Sequence, residues 1–184
     1  MKEFRPERVI VTTLQAVSGA GKTLKAWPEM VDNIIPLIGG EEDKSEQEPL
    51  KIWATIAKAQ FILADRPQIS ATCIRVPVSD GHMAALTVSF ATKPDRDDLV
   101  QALRNFKNPI QELKLPSAPE KFLTYYEEGD RPQTRLDREL GQGMGISVGR
   151  LRKDPILGWK CVALSHNTIR GAAGGAILVA ELLK

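Results

Sequence analysis

The stretch Ile69-Ser70-Ala71-Thr72-Cys73-Ile74-Arg75-Val76-Pro77-Val78-Ser79-Asp80-Gly81-His82-Met83-Ala84-Ala85-Leu86-Thr87-Val88-Ser89-Phe90-Ala91 decides the fold class. Residues 69–78 and 83–91 are rich in β-branched side chains with partial alternation, and Ser79-Asp80-Gly81 supplies a turn, so the segment predicts two strands. Directly behind them, Lys93-Pro94-Asp95 opens a helix that carries Leu99, Val100, Leu103 and Phe106. Strand, strand, helix is an α+β order.

Towards the N-terminus, Arg8-Val9-Ile10-Val11-Thr12-Thr13 predicts a buried strand ending in Ser18-Gly19-Ala20-Gly21, a loop whose backbone allows close approach to a ligand. Pro28 and Pro36 then punctuate a poorly periodic stretch up to Gly39-Gly40, where no long helix fits. Ser45-Glu46-Gln47-Glu48 has the form of a capping box. Leu50, Trp53, Ile56, Ala57 and Phe61 follow at helical spacing, so a helix is expected to run to about Leu63.

Towards the C-terminus, residues 115–140 hold Pro116, Pro119 and Pro132 around Phe122-Leu123-Thr124-Tyr125-Tyr126, which suits one short strand inside an extended excursion. Residues 145–151 and 159–164, separated by Arg152-Lys153-Asp154-Pro155, predict a β-hairpin with a long turn. The Ala- and Leu-rich residues 167–183 predict a terminal helix despite Gly171, Gly174 and Gly175. No internal repeat is present.

With 184 residues, 42% of them hydrophobic, the chain has material for one sizeable domain or two small ones. A formal net charge of +2 is too balanced for a protein that grips nucleic-acid phosphates. Apolar stretches such as residues 172–183 fall short of the roughly 20 residues that span a bilayer, and Met1-Lys2-Glu3-Phe4-Arg5-Pro6-Glu7 does not resemble a signal peptide. The expectation is a cytoplasmic protein with neither nucleic acid nor membrane as partner. Cys73 and Cys161 lack the paired spacing of a zinc site and allow at most one disulfide, so reduced thiols and no metal are expected.

Several residues bear chemistry. Ala16-Val17-Ser18-Gly19-Ala20-Gly21-Lys22-Thr23 follows a strand and nearly matches a phosphate-cradling P-loop, with Ala16 where the first glycine is usual. Pro28 falls where the obligatory following helix should run, so a glycine-rich turn between strands is the competing reading. Arg75 and His82 join a guanidinium suited to two-pronged carboxylate binding to an imidazole that titrates near neutrality, an anion clamp beside a proton shuttle. By composition alone both also suit ordinary structural roles, as does His166. Glu41-Glu42-Asp43-Lys44 reads as an acidic turn favoured by a helix dipole. Cys73 shares strand parity with Arg75 but lacks a partner that lowers a thiol pKa, so it reads as packing.

Taken together, residues 9–21, Ile38-Gly39-Gly40-Glu41-Glu42-Asp43-Lys44, residues 75–82 and Ser165-His166-Asn167-Thr168-Ile169-Arg170-Gly171-Ala172-Ala173-Gly174-Gly175 resemble aspartate-semialdehyde dehydrogenase of the archaeal and fungal branch. The resemblance spans nearly the whole chain with motifs in family order, and it makes the P-loop-like segment the family's own post-strand loop. It implies an α+β fold like the C-terminal domain of glyceraldehyde-3-phosphate dehydrogenase: a mixed, largely antiparallel sheet with helices on one face, the other face forming a homodimer contact. Residues 1–165 are then a catalytic and dimerisation domain, and residues 166–184 a helix that packs on a nucleotide-binding domain. In the family that domain and the Asn-Cys nucleophile segment come first, so the chain looks like the C-terminal half alone and is expected to be inactive by itself.

The implied reaction is the NADP-dependent interconversion of aspartyl phosphate and aspartate semialdehyde, with exchange of phosphate, in lysine, methionine, threonine and isoleucine biosynthesis. By the same resemblance His82 is the general acid/base and Gln15 helps orient the reacting groups. Arg75 clamps the substrate carboxylate, Glu42 holds its ammonium and Lys44 binds phosphate. Ser18, Gly19, Gly21 and Asn167 border the NADP cofactor. A non-catalytic dimerisation module is the alternative.

Overall fold

The computed structural model describes residues 2–58 and 60–184. The β-branched opening run forms strand β1 (Pro6–Gln15), which ends in a 3₁₀ turn at Val17–Ala20. A further 3₁₀ turn, Pro28–Met30, lies before helix α1 (Glu41–Ile52). There follow the small strands β2 (Thr55–Ala57) and β3 (Gln60–Ile62), strands β4 (Gln68–Arg75) and β5 (His82–Phe90), and helix α2 (Arg96–Arg104). Strand β6 (Leu123–Tyr126), the one-turn helix α3 (Thr134–Asp137), and strands β7 (Ile146–Asp154) and β8 (Gly158–Ser165) come next. A π-helical stretch, Ile169–Ala173, leads into helix α4 (Gly174–Leu182).

The six long strands pair in the order β4-β1-β5-β8-β7-β6. The three central pairings are antiparallel, and only β4 with β1 and β6 with β7 run parallel, so the expected mixed, largely antiparallel α+β sheet is what forms. The two strands read from residues 69–91 are not neighbours. Strand β1 inserts between them, setting Gln15 beside Arg75 and Leu14 beside Met83. This topology gathers the ends of β1 and β4 and the start of β5 at one end of the sheet.

Helix α2 begins in a capping box in which Asp95 and Asp98 each bond the other's backbone N–H, and it buries Leu99, Val100 and Leu103 against Val148, Leu151 and Trp159. Phe106 falls beyond its end and is half exposed. Helix α1 covers the β4 end of the same sheet face. On the opposite face Ile10 stays 49% exposed, while near β7 the segment at Arg131 and Pro132 crosses, packed on Gly149. Helix α4 lies beside the sheet, where Leu178 meets Phe122 and Met144 and Glu181 accepts from Ser117 N at 3.0 Å and Ser117 Oγ at 2.8 Å.

The helix expected from Ser45 to about Leu63 differs at both ends. It starts at Glu41, behind Gly40 with φ 76°, because Glu41, Glu42 and Asp43 place three carboxylates in the first turn, where the helix dipole favours them. Ser45 is inside the helix and caps nothing. The helix stops at Ile52, where Trp53 and Ala54 N–H turn back onto the Pro49 and Lys51 carbonyls. The β-branched Thr55 and Ile56 then run extended, pairing with Ile62 and Phe61; Ala59, which the expected helix included, lies outside the described residues. The β7–β8 turn is also shorter than expected. Arg152, Lys153 and Asp154 continue the strand, and the Asp154 carboxylate accepts Ile156 and Leu157 N–H, both at 2.9 Å, to close a three-residue turn.

Strand β4 is a sheet edge, and its outward N–H groups are all taken from residue 71 to residue 75. Ala71 N–H donates to Glu46 Oε1 at 2.9 Å, Cys73 N–H to Glu42 Oε1 at 3.0 Å, and Arg75 N–H to the Ile35 carbonyl at 2.9 Å. Glu42 and Glu46 are one helical turn apart, so α1 is stapled along the edge in a single register.

Candidate active site

Where β1 ends, the chain changes direction at Ala16, which is fully buried with φ −65° and ψ 155°. Its two peptide groups do unlike work. The Ala16 carbonyl accepts Arg75 Nη1 at 2.6 Å, and its N–H donates to His82 Nδ1 at 3.2 Å. One residue's backbone thus sets the guanidinium and the imidazole together. Gly19 passes directly over both: a Cβ there would stand 2.9 Å from Arg75 Nη1 and 2.9 Å from His82 Nε2.

A backbone N–H can only donate, so His82 Nδ1 is the acceptor and the neutral ring carries its hydrogen on Nε2. Burial, and next the Arg75 charge, push the His82 pKa down to about 4, with Glu41 pulling the other way. At neutral pH the ring is therefore an uncharged Nε2–H donor. Burial also lowers the Arg75 pKa from its ordinary value, opposed by Glu41, yet a guanidinium with so high a reference value stays charged.

Gln15 ends β1 in register with Arg75 and is buried; its Nε2 donates to Thr13 Oγ1 at 3.2 Å and to Glu41 Oε2 at 3.4 Å. Lys44 Nζ donates to Glu41 Oε1 at 2.9 Å, the i,i+3 spacing of one helix face, and this bond holds the Glu41 carboxyl below its usual range. The family resemblance points to the neighbouring Glu42 for the substrate ammonium. Its carboxylate is instead spent on the Cys73 N–H at the sheet edge, and Glu41 is the acid that faces Gln15, Arg75 and His82. Successive helical residues point about 100° apart, so the signal that separates them is the i,i+3 partner Lys44.

Asn167 bridges two loops. Its Nδ2 donates to Ser18 Oγ at 2.9 Å and its Oδ1 accepts Gly81 N–H at 2.9 Å. Ser18, Gly19, His82, Ser165, Asn167, Thr168, Gly171 and Ala172 line a cleft of about 440 Å³. Gly21, with φ 68°, ends the 3₁₀ turn, and the position a Cβ would take there has no neighbour within 4 Å, so it shapes the loop rather than the cleft wall. No α-helix follows that loop before Glu41, which removes the geometry a P-loop needs.

Both cysteines are free thiols. Cys73 is fully buried with Sγ 3.6 Å from Ser45 Oγ, and burial pushes the Cys161 thiol up to about 11. Cys73 is out of reach of any substrate, and Cys161 stays a protonated thiol at neutral pH. Among the described residues no three His, Cys, Asp or Glu side chains group to hold a metal, and no helix is long and apolar enough to cross a membrane.

A sheet of this topology, with a histidine and an arginine set by the loop after its first strand, defines a class. The chain belongs to the semialdehyde dehydrogenase family: the model of that family's dimerisation domain matches residues 1–170. The relatives it resembles are aspartate-semialdehyde dehydrogenases. That of Archaeoglobus fulgidus is 47% identical over 175 residues, 95% of this chain and 50% of that protein, and that of Candida albicans is 43% identical over 192 residues, 100% of this chain and 53% of that protein. The crystal structure of the Candida albicans enzyme with NADP matches with a TM-score of 0.86 at 41% identity, covering 99% of this chain and 52% of that one. An aspartate semialdehyde dehydrogenase II from Vibrio cholerae complexed with ASA matches with a TM-score of 0.71 at 26% identity, covering 97% of this chain and 55% of that one. The chain spans about half the length of the curated relatives it matches.

Proposed function

We propose that these residues supply the substrate grip, the proton donor and the subunit contact of an NADP-dependent aspartate-semialdehyde dehydrogenase that interconverts aspartyl phosphate and aspartate semialdehyde. The observation that carries the reading is the Ala16 backbone joining Arg75 to His82 at the mouth of the cleft. Arg75 offers its remaining guanidinium donors to the substrate carboxylate. Glu41, rather than Glu42, takes the ammonium, with Gln15 and Lys44 orienting it, and Lys44 is the cation available to phosphate.

His82 presents Nε2–H towards the cleft, the polarity needed to hydrogen-bond oxygen charge that develops at the reacting carbon. An anionic group brought against the ring would favour its protonated form and move its pKa back towards the ordinary range, where it passes a proton. The small side chains of Ser18, Gly19, Gly171 and Ala172 leave a slot that fits a flat ring, while the lining holds no cation for a 2′-phosphate. The fit is therefore to the nicotinamide end, with Asn167 and Ser18 fixing the slot's walls and Gly21 the bend of the loop. When bound, NADP supplies hydride exchange at the substrate's reacting carbon.

Residues 1–165 act as the catalytic and dimerisation unit. Residues 166–184 offer Ile177, Val179 and Leu183, all more than half exposed, to a nucleotide-binding domain. The uncovered sheet face around Ile10 takes a second copy of the chain. The biosynthetic, cytoplasmic setting follows from the same reading.

The test is kinetic, in a complete enzyme carrying these residues. His82→Ala is expected to lower kcat roughly 10²–10⁴-fold with KM little changed. Arg75→Lys is expected to raise KM, because a point ammonium cannot copy a two-pronged contact, and Glu41→Gln to raise it more than Glu42→Gln. A His82→Ala enzyme with normal kcat and weakened affinity alone would overturn the assignment.

A further inference from the structure

Arg138, the residue that closes α3, reaches the turn in front of His82. Its Nη1 donates to Ser79 Oγ at 2.7 Å and to the Asp80 carbonyl at 3.3 Å, so one nitrogen holds two successive turn residues. The turn has no slack. Gly81 adopts φ +94°, and a Cβ there would stand 3.2 Å from Arg138 Cβ and 3.4 Å from Leu164 Cδ1. Arg138 is itself held by a rigid base: the buried Asp137 accepts Arg131 Nε at 2.8 Å and Gln133 N–H at 2.6 Å, and the Arg131 guanidinium stacks on the Tyr126 ring at 4.6 Å. The loop after β1 grips the same turn through Val17 N–H to the Val78 carbonyl at 2.9 Å and Ser18 N–H to the Ser79 carbonyl at 3.3 Å.

We propose that Arg138 is a positioning residue for His82: it clamps the turn of residues 79–81 against the loop after β1 and thereby keeps the imidazole on the Ala16 N–H. The proposal deepens the reading of His82 as proton donor and rests on it. The groups that face His82 are Arg75 from β4, Glu41 from α1 and Asp80 from its own turn. Loosening the turn admits water to the ring and breaks the Ala16 N–H to Nδ1 bond. Both changes favour a ring that is protonated more easily and no longer confined to the Nε2–H form.

The chain has two histidines, His82 and His166, so nitrogen-15 ring spectra of the 184-residue chain follow each through a pH titration. The unsubstituted chain is expected to show His82 as the Nε2–H tautomer. Arg138→Ala should give mixed tautomers and raise the His82 midpoint by about one pH unit or more, tenfold in proton affinity. Arg138→Lys, which keeps a donor on a long side chain, should recover part of the change. Ser79→Ala, which removes one acceptor alone, should move His82 the same way by less and serves if Arg138→Ala does not fold. Arg96→Ala, which removes exposed contacts to Tyr125 and Glu127 and none to the turn, should leave His82 as it was.

An Arg138→Ala chain, or in its place a folded Ser79→Ala chain, with unchanged His82 tautomer and midpoint would overturn the proposal, and so would an equal change in Arg96→Ala. A complete enzyme in which Arg138→Ala alters the ring yet leaves kcat normal would retain the positioning role and remove the proton-donor reading of His82.

Discussion

Gly19 shows how a residue with no side chain of its own sets the chemistry around it. Its Cα passes over Arg75 Nη1 and His82 Nε2 where any Cβ would stand 2.9 Å from each, so Gly19→Ala must push the guanidinium and the imidazole off the Ala16 backbone. A displacement of that size costs on the order of 10²-fold in kcat/KM. The backbone at Gly19 is not left-handed, so the chain itself tolerates alanine, but displacing the buried Arg75 and His82 side chains from their Ala16 partners is expected to lower stability by about 1–3 kcal/mol. A thermal melt and steady-state kinetics on one complete Gly19→Ala enzyme check both, and a normal kcat/KM would count against the close approach. Arg75 and His82 stand out in sequence as a guanidinium and an imidazole flanking a glycine turn, though composition alone suits structural roles as well, whereas Gln15 and Lys44 are named only through the family resemblance. Ala16 was not legible, since its contribution is made entirely by peptide N–H and C=O, which every residue possesses. Glu41 was hidden beside Glu42 because the choice depends on the helix's rotation, which sequence does not give.

At the level of elements, α1 carries Glu41 and Lys44 on one side and Glu42 and Glu46 on another, so its docking to the β4 edge aims the site. Glu42→Ala leaves the Cys73 N–H without its acceptor and is expected to lower stability by about 1–3 kcal/mol. Glu42→Gln, which keeps an oxygen acceptor, should lose less. Chemical denaturation measures this, and equal stabilities of the Ala and Gln variants would show that the edge contact contributes nothing. Strands β1, β5, β7 and β8 and helix α2 were readable from alternation, β-branching and the Asp95 cap. The end of α1 was not: Trp53, Ile56 and Phe61 keep helical spacing, while Thr55 and Ile56 are β-branched and pair with Ile62 and Phe61 across a hairpin. Periodicity alone cannot decide between those outcomes when both bring the same apolar residues together. The position of β1 between β4 and β5 was likewise illegible, because adjacency in sequence favours pairing of consecutive strands.

For the whole molecule, the sheet has one face under α1 and α2 and another on which Ile10 is half exposed. Sedimentation of the chain at micromolar concentration is expected to show a dimer, and Ile10→Glu a monomer with unchanged far-ultraviolet circular dichroism. Hydrogen exchange should be faster in α4, whose Ile177 and Val179 are exposed, than in β4 and β5. A monomer in the unsubstituted chain, or an α4 as protected as the central strands within such a monomer, would contradict this arrangement. The carboxylates seated along β4 bear on what kind of assembly can arise. An unsatisfied strand edge is a template that recruits further strands without limit, whereas from Ala71 to Arg75 this edge has no outward N–H left to offer. Growth along that stretch of edge is barred, and in the proposed dimer association through the sheet's face is a two-fold, self-complementary contact that is exhausted once a single partner has arrived.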